Sequence, residues 1–135
     1  MNNRRENKTD KTKVKYIVVH QTGTKPGVVL RDLNKLPYHY VITKAGRLIN
    51  LRPVKPSDGT VEVALSGGLD SYGNHMDGRT QAQKDTLFLT LSMLADTFPD
   101  AIIIGADELY VYGFPNPGFN VNIWLGNYIA AFLAA

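Results

Sequence analysis

The chain has no cysteine. That excludes a disulfide framework and any chemistry needing a thiolate. It also lacks a long apolar run, since no segment reaches the roughly 18–20 residues that span a bilayer as a helix. The first residues hold no apolar stretch of the signal-peptide kind, so cytoplasmic synthesis is expected, with virion association as a further possibility. Charge is missing from one end: Glu108 is the last charged side chain, and the final 27 residues carry none.

The charge that is present is uneven. Residues 1–15 carry six Lys or Arg against Glu6 and Asp10, a balance of +4. The other 120 residues hold nine positives against ten negatives. A pI near 9.2 therefore reflects a basic leading arm rather than a basic folded face, and nucleic acid is not an expected partner. Residues 1–12 are too polar to offset the entropy of ordering and are expected to form a flexible basic arm. Residues 13–135 are expected to form one domain, the length being too short for two.

Strand and helix signals alternate along that domain. Residues 14–20 (VKYIVVH) predict a strand whose second half is buried on both faces. Residues 28–36 hold enough for about two turns of helix before Pro37. Residues 38–43 and 47–51 predict a hairpin around Lys44-Ala45-Gly46. Residues 60–65 (TVEVAL) alternate as a strand. Thr80 and Gln83 have capping-box spacing, and Leu87, Leu91, Leu94 and Phe98 recur at helical spacing behind them. Residues 101–104 (AIII) predict a short buried strand, and 119–135 a closing helix with Asn120 or Asn122 as N-cap. The interleaving predicts an α/β (α+β) fold with a mixed sheet of about five strands and about three helices.

Several of these segments, taken in order, resemble the zinc amidases of the N-acetylmuramoyl-L-alanine amidase family, the group of the phage lysozymes and the peptidoglycan-recognition proteins. Ile17-Val18-Val19-His20 with Thr22-Gly23-Thr24-Lys25-Pro26 is similar to the family's first strand. Tyr38-His39-Tyr40-Val41-Ile42, Gly46 and Arg52 resemble its Tyr-His strand and hairpin. Residues 60–68 resemble its next strand, and Arg79-Thr80-Gln81-Ala82-Gln83 the start of its long helix. Ile104-Gly105-Ala106 and Asn116-Pro117-Gly118-Phe119 fall where the family carries its last two ligand motifs.

The resemblance implies a zinc ion held by two His and one Cys or Asp, with a fourth position open for an activated water. His20 matches the first ligand, Ala106 stands in place of the second and Asn116 in place of the third. Tyr38 matches an assisting Tyr, and Phe114 replaces a Lys found in phage members. Alanine offers no donor atom, and a neutral amide is a poor substitute for thiolate or carboxylate. Strand alternation places His39 opposite Tyr38, away from such a site. Asp107 is the one neighbour a backbone shift would present. The stretches from His20 to Tyr38 and from Arg52 to Thr60 are also shorter than the family's.

The reading that follows is a degenerate amidase without zinc or catalysis, acting as a structural or binding module in a phage or bacterial assembly. Two alternatives stand beside it. One is an active zinc amidase with a displaced ligand set, cleaving the muramoyl-L-alanine bond. The other is a non-catalytic peptidoglycan-binding module. The uncharged C-terminal segment adds an expectation of its own. Apolar residues cover most of its circumference, which predicts a protein interface through Trp124, Tyr128 and Phe132, by self-association or with a partner.

Overall fold

The computed structural model describes residues 13–27 and 35–134. The basic arm and residues 28–34 of the expected first helix lie outside the described residues. Among the described residues five strands form one sheet: β1 (Tyr16–Gln21), β2 (Tyr40–Ile42), β3 (Leu48–Asn50), β4 (Thr60–Leu65) and β5 (Ile102–Gly105). Their order is β3-β2-β4-β1-β5, with β2, β4, β1 and β5 parallel and β3 antiparallel on the edge beside β2. Two α-helices are described, α1 (Gln81–Thr97) and α2 (Val121–Ala134), with short 3-10 turns at Pro56–Asp58 and Ala106–Glu108.

β1 lies between β4 and β5, and its residues from Ile17 onward are buried on both faces, Ile17 and Val19 beneath α1 and His20 beneath Tyr38 and Tyr110. Ile17 and Val19 of β1, Val61, Val63 and Leu65 of β4, and Ile42 of β2 form one side of the sheet. They pack with Leu87, Leu91 and Leu94 of α1 and with Phe98 and Val121. Leu87, Leu91, Leu94 and Phe98 are the residues whose spacing predicted the apolar stripe. On the opposite side, Val41 and Ala64 pack with Leu36, Tyr38 and Leu51. The strand period of two thus divides the sheet into a helix-covered face and a second face that carries His20.

The capping box forms as predicted, with Thr80 Oγ1 accepting from Gln83 N–H and Gln83 Oε1 from Thr80 N–H, both at 3.1 Å. Fully buried Gln83 then donates through Nε2 to the Ile42 and Ser66 carbonyls at 3.1 and 2.9 Å. One amide thereby caps α1 and joins it to the ends of β2 and β4, leaving none of its own polar atoms unpaired. Thr80 and Thr86 add hydroxyl bonds to the Lys44 and Gly46 carbonyls, both 2.6 Å, so the helix start sits on the hairpin turn. Gly46 has φ +84°, and a Cβ there would lie 2.8 Å from the Ala82 carbonyl oxygen. The contact requires glycine.

At α2, Asn120 is the residue that caps. Its Oδ1 accepts from Ile123 N–H at 2.9 Å, whereas Asn122 donates to the Ile103 carbonyl of β5.

Candidate functional site

His20 is one residue from the end of β1, on the face away from α1, and is 4% exposed. Its Nε2 lies 2.8 Å from Oε1 of Glu62, which projects from the adjacent β4. Parallel pairing of Val18 with Glu62 and of His20 with Ala64 brings these two side chains onto the same face. Tyr110 donates its hydroxyl to the same Glu62 oxygen at 3.1 Å, and its ring stacks over His20 at 6.0 Å. Tyr112 places its hydroxyl 3.5 Å from His20 Nδ1, the outer limit of a hydrogen bond. Tyr38 closes the other side, with its ring centroid 4.9 Å from that of His20.

Arg52 holds Tyr38 in position. Its guanidinium donates to the Tyr38 carbonyl at 2.9 Å and to the Leu36 carbonyl. This arginine therefore fastens backbone rather than facing a ligand. His39, just before β2, is buried. Its Nδ1 accepts from Glu62 N–H at 2.8 Å, and burial pushes its pKa down. It joins β2 to β4 and stands apart from His20.

The electrostatics follow from this packing. Burial pushes the Glu62 carboxyl up, but the hydrogen bonds from His20 and Tyr110 and the nearby His20 charge outweigh it. The carboxyl is left below its usual value and is ionised at neutral pH. Burial raises all three tyrosines, and the Glu62 charge adds to the effect, with Tyr110 pushed up to about 12. The phenols therefore stay protonated and act as donors. With Glu62 fixing one ring nitrogen of His20, the cluster can orient a histidine and offer aromatic faces to a ligand.

The other two expected ligand positions are placed differently. Ala106 is fully buried and opens the 3-10 turn after β5. Asn116 is 2% exposed, and its Oδ1 accepts from the backbone N–H of Gln21 at 2.9 Å. Its carbonyl accepts from Asp107 N–H at 2.7 Å, while the Asp107 side chain lies in an exposed position. The Asn116 amide oxygen thus ties this segment to the end of β1. Among the described residues no three His, Cys, Asp or Glu side chains gather as a metal-binding group. His20, Ala106 and Asn116 do not fit the family's zinc set.

No protein-family model matches the chain, and no curated protein matches it by sequence. Solved structures do match. The Ph2119 endolysin from Thermus scotoductus MAT2119 bacteriophage Ph2119 superposes with a TM-score of 0.63 at 19% identity, covering 82% of each chain. The bumblebee PGRP-SA, a peptidoglycan-recognition protein, gives 0.57 at 12% identity, over 86% of this chain and 82% of its own. The fold is amidase-like. At such identities the likeness establishes architecture, while function has to be argued from the residues of this chain.

Within that amidase-like fold, the structure brings His20 and Tyr38 together and sets Asn116 in the adjoining backbone. Sequence reasoning missed Glu62, Tyr110 and Tyr112. Glu62 carried a signal, being the one charge in TVEVAL and opposite in phase to Val61 and Val63. Locating its partner required the β4–β1 pairing. The two tyrosines lie in a stretch without periodicity and gave no signal.

The residues expected at a protein interface divide. Trp124 packs edge-on against Phe119 at 6.0 Å, and Arg79 lies 5.6 Å from its ring centroid. Tyr128 donates to Asp85 at 2.6 Å and stacks on Phe88 at 4.7 Å. Phe132 is 68% exposed, in company with Ile123 and Leu133.

Proposed function

We propose that this chain is an amidase-fold binding module that does not carry out zinc-dependent hydrolysis. One observation carries the reading: at the expected third-ligand position stands the buried, neutral amide of Asn116, whose oxygen accepts the Gln21 N–H. Around it, Ala106 supplies no donor atom to a metal. A module of this kind suits a structural or binding role in a phage or bacterial assembly, with a protein partner, or a second copy, over the exposed side of α2. The test is metal analysis of protein purified in the presence of zinc, run beside a muropeptide-release assay. The expected result is no bound zinc and no peptide release. One equivalent of zinc together with release would overturn it.

A second reading keeps peptidoglycan as the ligand without catalysis. It is favoured by the rings around His20, where Tyr110, Tyr112 and Phe114 continue in contact at 6.3 and 5.4 Å centroid separations. Such aromatic rows present broad apolar faces with polar edges. Co-sedimentation with purified cell walls separates it from the structural reading. Retention that is lost in Tyr110→Ala supports wall binding, and no retention rejects it.

A further inference from the structure

A cavity of about 380 Å³ opens beside the hairpin turn, well away from the His20 cluster in its lining. Its wall is drawn from the segment after β1 (Lys25), the β2–β3 turn (Thr43, Lys44, Arg47) and the end of β4 (Ser66, Gly67). Three cationic residues from two separate stretches of chain thus line it, and no described lining residue is acidic. Among the described residues, the Lys25 and Arg47 side chains form no ion pair and no hydrogen bond. Lys44 donates to the Gly78 carbonyl at 2.6 Å, and burial pushes its ammonium below the usual value, an effect that Asp77 offsets in part. Asp77 is itself engaged by Arg79 at 2.8 Å.

Like charges around a concavity repel one another and are stabilised by a bound counter-charge. Arginine and lysine together supply a planar fork and mobile point charges, the donors that phosphate and carboxylate oxygens accept from. The Thr43 and Ser66 hydroxyls in the wall add neutral donors. The volume falls within the usual range for small-molecule sites.

We propose that this cavity binds a small polyanion through phosphate or carboxylate oxygens, held by Lys25, Lys44 and Arg47. The site is independent of the reading of His20, because none of the residues around that histidine lines it.

The test is calorimetric titration of the full chain at physiological salt with two probes, inorganic pyrophosphate and citrate. Saturable one-to-one binding is expected for at least one, with Kd of about 1 mM or tighter. The tighter probe identifies which oxygen chemistry is preferred. Lys25 and Arg47 are exposed, so the double variant Lys25→Glu/Arg47→Glu is expected to keep the native circular dichroism spectrum while weakening binding about tenfold or more. Lys55→Glu, outside the cavity, is expected to bind as the parent does. Absence of saturation for both probes overturns the proposal. So does equal binding by the double variant, or an equal loss in Lys55→Glu, which would reveal a mere response to net charge.

Discussion

The side chain of Asn116 reaches across 95 positions of sequence to accept the backbone N–H of Gln21 at the end of β1. The bond lies where both partners are buried, so water cannot replace it. Asn116→Ala leaves the Gln21 N–H without an acceptor, and an unmade buried bond of this kind costs about 1–3 kcal/mol. The urea midpoint is expected to fall accordingly. A variant as stable as the parent would mean that the bond is dispensable and the position free for other roles.

Glu62 makes the acid side of stability predictable. Its folded pKa lies below the ordinary carboxylate value of about 4.3. The folded state therefore binds the carboxyl proton less readily than the unfolded state. The stabilisation is complete above the ordinary value and is lost as pH falls through the lower folded one. Denaturation midpoints measured from pH 7 down to pH 3 should decline, and Glu62→Gln should flatten that decline. An unchanged acid limb in the variant would refute the assignment.

Tyr110 gives the complementary behaviour in base. Its folded pKa of about 12 exceeds the ordinary phenol value of about 10. The stability it contributes is present below pH 10 and is lost as pH rises toward 12. Ultraviolet titration of the phenolates should show a late-ionising group that disappears in Tyr110→Phe. If the phenylalanine variant keeps the full late-ionising amplitude, the group belongs to another tyrosine.

The two ends of α2 should respond differently to substitution. Phe132→Ser removes an exposed ring and is expected to change stability by no more than about 0.5 kcal/mol. Trp124→Ala removes a ring packed with Phe119 and Arg79, and a loss of about 2 kcal/mol is expected. Sedimentation velocity then tests the proposed association. Phe132→Ser should shift any oligomer of the parent toward monomer, and an identical distribution would place the contact elsewhere.

The helix boundaries and strand phases were readable because they arise from neighbours in sequence. Thr80 with Gln83 marked α1, and TVEVAL marked β4 over its full length. The hairpin strands proved shorter than the apolar runs around them, three residues each. Their flanks still bond, as Leu51 N–H does to the His39 carbonyl, but without a continuous ladder. The site was only half visible. His20 and Tyr38 stood out through their resemblance to a known pattern, whereas Glu62 gained meaning only when the parallel pairing of β4 with β1 set its carboxylate beside His20.

Composition alone determined that no thiolate is present and that the described domain carries nearly balanced charge. Local spacing determined the capping box and the alternation of the strands. Tertiary structure decided what Asn116 and Glu62 do. A side-chain amide or carboxylate is fixed by the polar group it meets, and here those groups come from strands 95 and 42 positions away. Tertiary structure also decided that Lys25, Lys44 and Arg47 share one cavity, because Coulomb repulsion depends on distance in space, and residues 25 and 44 become neighbours only once the sheet has formed.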